Sequence, residues 1–193
     1  MRHALAIALL AGLASTAATP PASPPFTIHR VGGADFKLSD YRGKVVVLAL
    51  IMTTCSHCQD LTKELIPIAK EYGPRGVQII ECAFNPEAQG DVAGFIAQFQ
   101  PTFPVGFNGR DEVYSYLGRS AVDQRPFYVP HLVFIDRNGL IRGDYPGESD
   151  FIARAAANTR AKLDELLGGS ARPAAGAKKS SKPLPASDTP SRR

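Results

Sequence analysis

The residues of this chain best equipped for chemistry are two cysteines two positions apart with a histidine between them, in Cys55-Ser56-His57-Cys58. A thiol pair at this spacing can open and close a disulfide, supply half of a zinc site, carry a covalent haem, or lie inert in a core. Covalent haem requires histidine directly after the second cysteine, and Gln59 stands there. A structural zinc needs four ligands. The third cysteine, Cys82, sits alone in a stretch that reads as a core strand, so no second pair completes a zinc site. Whether the pair is reactive or inert depends on the elements that position it.

Just before the pair, Val45 to Met52 ("VVVLALIM") is apolar on both pleat faces, as suits a central strand covered on both sides. A helix is expected from Cys55 to about Tyr72, capped by Thr53 or Thr54 and kinked by Pro67, with Leu61, Leu65, Ile68, Ala69 and Tyr72 along one face. Gly76 to Phe84 reads as a second buried strand, and Pro86 to Gln100 as a helix weakened by Gly90 and Gly94. Arg110 to Gly118 reads as a short helix. "HLVFID" and "LIRGDY" form a hairpin through Arg137, Asn138 and Gly139, and a closing helix runs from about Ser149 to Leu167 until Gly168 and Gly169 stop it. This order predicts an α/β domain with a mixed sheet.

Cys55 thus falls where a buried strand turns into a helix, and the free N–H groups and dipole of a helix start favour a thiolate. Cys55 is expected to attack. Cys58, one turn further in and more sheltered, is expected to resolve the mixed disulfide that results.

The 193 residues leave room for one ordinary domain. Residues 1–18, with a basic start, eleven apolar residues from Ala4 to Ala14 and small residues to Ala18, have the layout of a secretory signal peptide. That run is shorter than the roughly 20 residues a membrane-spanning helix needs. A proline-rich linker is expected at 19–25, the domain at 26–167, and a disordered basic tail at 168–193. The tail holds six basic residues against one acid, Asp188, more than the whole chain's net charge of +4. The domain itself is therefore slightly acidic and carries no nucleic-acid signature.

With these elements placed, the chain resembles the thioredoxin superfamily, and within it the secreted TlpA/ResA-like thiol–disulfide oxidoreductases. The likeness runs from about Phe26 to Leu167. Residues 26–50, with Leu38, Ser39, Gly43 and Lys44, look like that group's opening hairpin and first core strand. "TTCSHC" fits its active-site motif, "FPVGFNGRDEVYSYLG" its strand and helix before the last hairpin, and "YVPHLVFIDRNGLI" the segment that carries a cis-proline opposite the cysteines. The resemblance implies a thioredoxin fold with an N-terminal β-hairpin and a helical insertion. It makes Pro130 the cis-proline and gives Val129 backbone contact with a substrate's extended chain.

Several positions depart from the pattern. Thr54 stands where the motif usually has Trp, which leaves Cys55 more open and alters partner choice. The buried acid of thioredoxin corresponds to Ala49, and the ResA-like glutamate after the second cysteine to Leu61. One carboxylate can replace them: Glu81, with Ile79 and Ala83 on its own strand face, is expected to be buried and to take the Cys58 proton with a raised pKa. The alternative is a structural carboxylate paired with an Arg or Lys. His57 is expected to stabilise the Cys55 thiolate and make the disulfide more oxidising than that of thioredoxin. Cys82 is read as a core residue.

The expected function is thiol–disulfide exchange in a monomer that needs no cofactor beyond its own cysteines. Its partners are envelope or secreted proteins with cysteines or disulfides, together with an upstream redox donor or acceptor, in the periplasm or outside the cell. Two other readings are a peroxiredoxin-like peroxidase and a Sco-like copper chaperone. The first lacks its usual Pro and Thr, whose places Leu48 and Met52 occupy. The second would hold Cu(I) through Cys55, Cys58 and a histidine such as His131, though with a shorter cysteine spacing than that group has.

Overall fold

The structure is a computed structural model that describes residues 19–120 and 122–168. The expected signal peptide and all of the expected basic tail beyond Gly168 lie outside the described residues. Five strands form one mixed sheet: β3 (Val45–Ile51), β4 (Val77–Ala83), β5 (Val105–Phe107), β6 (His131–Ile135) and β7 (Ile141–Tyr145), in the order β5-β4-β3-β6-β7. β3, β4 and β5 run parallel, and β6 and β7 turn back antiparallel. Two short strands, β1 (Thr27–Ile28) and β2 (Phe36–Lys37), pair antiparallel ahead of the sheet.

All seven residues of β3 are buried, as expected of a central strand with both faces covered. The odd-numbered side chains, Val45, Val47, Ala49 and Ile51, face a core shared with α1 (Ser56–Tyr72), α2 (Ala88–Phe99) and α4 (Ala155–Leu166). The even-numbered ones, Val46, Leu48 and Leu50, face a second core with Phe26, Ile28 and α3 (Arg110–Tyr116). Fully burying such a side chain stabilises the fold by about 1.5–3 kcal/mol, so β3 anchors both layers and fixes the point where the chain emerges at Met52.

Several local expectations change. Neither Thr53 nor Thr54 caps α1; Cys55 is its N-cap residue, extended and without a side-chain cap bond. α1 runs on past Pro67, which lies on its exposed side. The closing helix starts later than expected, with a single 3₁₀ turn at Ile152–Arg154 leading into α4. The expected linker is partly zipped onto the sheet: Ser23 N–H donates to Gly139 O at 2.9 Å, and Ile141 N–H to Pro21 O at 2.8 Å. Backbone groups at the edge of β7 thereby gain partners that a free linker would leave to water. The β6–β7 turn forms through Gly139, whose φ of 79° lies in the left-handed region that a side chain disfavours.

Candidate active site

Cys55 is half-buried as the N-cap residue of α1 and Cys58 is fully buried one turn inside, both as free thiols. Thr54 and His57 flank Cys55 in the open. The loop that delivers Cys55 is tied down from behind. Met52 O accepts from the Cys55 N–H at 3.1 Å, and Gln59 Nε2 donates to Thr53 O at 2.8 Å. The buried Thr53 donates its N–H to Asn85 Oδ1 at 3.0 Å and its hydroxyl to Asp91 Oδ2 at 3.0 Å. This network takes over the threonine expected to cap α1. Sequence reasoning missed Asn85, Asp91 and Gln59, and the available signal was a lone Asn after a buried strand followed six residues later by an acid at a helix start.

Opposite the cysteines, the Val129–Pro130 peptide is cis. The antiparallel register sets Leu50 beside His131, which carries Pro130 and Val129 to the end of β3 where the cysteine loop begins. Val129 packs in the same core as Cys55, and its N–H and C=O make no hydrogen bond among the described residues. A groove of about 400 Å³ runs from this point between α1 and the segment after β7, lined by His57, Leu61, Val129, Pro130 and Ile152 among others.

Glu81 lies in β4 directly beside Ala49 of β3 and is wholly buried. Its Oε1 accepts from the Thr62 hydroxyl at 2.9 Å, while Oε2 has no partner. The alternative expected for it, pairing with an Arg or Lys, is not what the structure contains: no cation contacts it among the described residues. Burial raises its pKa to about 8, and the Thr62 hydrogen bond opposes that rise. Burial is also the main cause that lifts the Cys58 thiol well above its ordinary range; a backbone hydrogen bond at Met52 works against it, and the Cys55 thiol and Glu81 raise it further. Cys82 is raised by burial alone and belongs to the opposite core.

The structure thus brings Cys55, Cys58, Thr54, His57, Val129 and Pro130 together above Glu81. His131 does not join them. It shares the face of Leu50, away from Cys58, where its Nε2 bonds Asp144 and its ring stacks on Phe127 at 5.3 Å. The copper reading loses His131 as a third ligand, because strand alternation turns it to the other side of the sheet.

A family model described as the AhpC/TSA family matches residues 21–143. The chain belongs to the AhpC/TSA family. It is 30% identical over 156 residues to the thiol-disulfide oxidoreductase ResA of Geobacillus kaustophilus, an alignment that covers 74% of this chain and 83% of that protein. The ResA of Geobacillus thermodenitrificans is 29% identical over the same coverage. Among solved structures, a thiol:disulfide interchange protein of the thioredoxin family from Chlorobium tepidum superposes with a TM-score of 0.64 at 21% identity, over 79% of this chain and all of that one. The AhpC/TSA member described here is therefore TlpA/ResA-like within the thioredoxin superfamily, and an oxidoreductase.

Proposed function

We propose that this oxidoreductase exchanges disulfides with other proteins of the cell envelope, with Cys55 attacking and Cys58 resolving. The observation that carries the reading is the contrast in exposure within one helical turn: Cys55 is reachable at the start of α1, and Cys58 is completely covered. The Cys55 thiolate attacks one sulfur of a partner disulfide and expels the other as a thiolate, leaving a mixed disulfide. The Cys58 thiolate then attacks Cys55 Sγ, closes the Cys55–Cys58 bond and releases the partner's second thiolate. In the opposite direction the same pair oxidises a dithiol.

Substrate chain is held by the groove and by the unpartnered backbone of Val129 beside Pro130, a short stretch of strand addition. Thr54 leaves the approach to Cys55 open, and His57 tunes the potential. Glu81, buried and without a cation, takes the Cys58 proton so that the covered thiol can attack. The envelope location rests on the layout of residues 1–18, and no helix among the described residues is long and apolar enough to cross a membrane. Partners are envelope proteins with accessible disulfides, plus a redox donor or acceptor that resets the pair. No cofactor enters the chemistry.

The test is a trap. Cys58→Ser should accumulate mixed disulfides through Cys55 that appear on non-reducing gels and vanish with dithiothreitol, and the double variant lacking Cys55 should capture nothing. Equal capture by the two variants would refute the assignment.

A further inference from the structure

We infer that Thr62 is a positioning residue that switches Glu81 between its two protonation states, its single hydroxyl hydrogen passing from the Cys58 carbonyl to the Glu81 carboxylate when Glu81 ionises. This rests on the reading of Glu81 as acceptor of the Cys58 proton.

Thr62 is fully buried in α1, one turn beyond Cys58. Its Oγ1 lies 3.0 Å from Cys58 O and 2.9 Å from Glu81 Oε1. A hydroxyl has one hydrogen and two lone pairs, so it cannot donate to both oxygens at once. With Glu81 protonated on Oε1, both contacts are satisfied together: the carboxyl O–H donates to Thr62 Oγ1, and Thr62 donates to Cys58 O. With Glu81 ionised, the hydroxyl hydrogen must turn to Oε1, because no other donor meets the carboxylate among the described residues and Oε2 is already unpartnered. Among the described residues Thr62 is then the one group that stabilises the ionised form by a hydrogen bond.

The proton ledger closes around this switch. Ionised Glu81 takes the proton of the Cys58 thiol, giving a carboxylic acid and a thiolate, and the Thr62 hydrogen returns to Cys58 O. The thiolate attacks Cys55 Sγ, the new S–S bond forms, and the bond from Cys55 to the partner breaks. The partner sulfur leaves with the electron pair and is protonated by solvent. Glu81 later returns its proton to water.

Without the hydroxyl, the carboxylate loses a hydrogen bond of the charge-assisted kind, strong enough to change an ionisation about ten-fold. The experiment uses the full chain carrying 5-thio-2-nitrobenzoate on Cys55 and follows the coloured thiol released as Cys58 resolves the adduct. Thr62→Val should move the pH profile of release up by about one pH unit and slow release at neutral pH about ten-fold. Thr62→Ser should overlay the wild type, and Thr62→Val combined with Glu81→Gln should match Glu81→Gln alone. Thr62→Ala serves as a second variant should valine disturb the helix. A uniform slowing by Thr62→Val with no shift in pH, or a serine variant that behaves as valine does, would overturn the switch. If Glu81→Gln releases the thiol as fast as wild type, the acceptor reading fails. The infrared carboxyl band of Glu81 then judges the switch by itself, and a midpoint that Thr62→Val does not raise would refute it.

Discussion

Glu81 makes the stability of this protein depend on pH in an unusual direction. Its carboxyl has a pKa of about 8 when folded against an ordinary 4.5, because burial disfavours the charged form. Between those values the folded protein holds a proton that the unfolded chain has released, so stability falls as pH rises. The stability is fully present below pH 4.5 and is lost progressively until pH passes about 8. At 1.36 kcal/mol per pH unit, the loss is about 3 kcal/mol by neutral pH and about 5 kcal/mol above pH 8.5. Most ion-paired carboxylates act the other way and stabilise as pH rises. Glu81→Gln keeps the shape and the Thr62 contact but cannot ionise, so its profile should lack this decline. Urea unfolding of the reduced protein at pH 4.5, 7 and 8.5 measures the difference. The variant should gain on the wild type by several kcal/mol across the range, most steeply between pH 5 and 8. Parallel profiles for the two proteins would refute the buried, unpaired carboxyl as the cause.

Two further perturbations probe the elements around the cysteines. His57→Ala should make the Cys55–Cys58 couple more reducing, measured by equilibration with glutathione; an unchanged potential would remove His57 from the tuning role. Asn85→Ala leaves the N–H of Thr53, itself only 5% exposed, without its acceptor, and should cost about 1–3 kcal/mol in chemical denaturation. The same variant should slow the attack of Cys55 on a small disulfide, because the loop that presents it loses its anchor.

The parts of the fold that sequence made legible are those set by apolar patterning. β3, β4 and the β6–β7 hairpin lie where uninterrupted apolar runs and an Asn-Gly turn put them, and α1 ends at Tyr72 as its apolar face implies. What patterning could not show was where polar side chains spend their hydrogen bonds. Thr53 has the right residue type and place for a helix cap, yet Asn85 and Asp91, more than thirty residues away, claim its N–H and hydroxyl. The zipping of Pro21 and Ser23 onto Leu140 and its neighbours is equally invisible locally, since it depends on β7 leaving an edge open. His131 looked available to copper because it follows Pro130 in the chain, but β-strand alternation sends successive side chains to opposite faces.

The missing acid explains how these pieces fit. Position 49, which the resemblance aligns with the buried acid of thioredoxin, is Ala49, and position 61, which it aligns with the ResA-like glutamate, is Leu61, only 3% exposed. Parallel strands place register partners side by side on one face, about 4.8 Å apart, and Glu81 is the partner of Ala49. A carboxylate moved one strand across therefore stays in the same layer of the core as Cys58, and the small alanine beside it leaves room for the longer side chain. The move has a consequence for α1. Glu81 is sealed beneath the helix, and among the described residues its one hydrogen-bond partner is Thr62. On the proposed role of Glu81, Thr62 is the partner that the relocation calls for: a buried carboxylate on β4 ionises more readily when the helix above donates a hydroxyl to it in place of water.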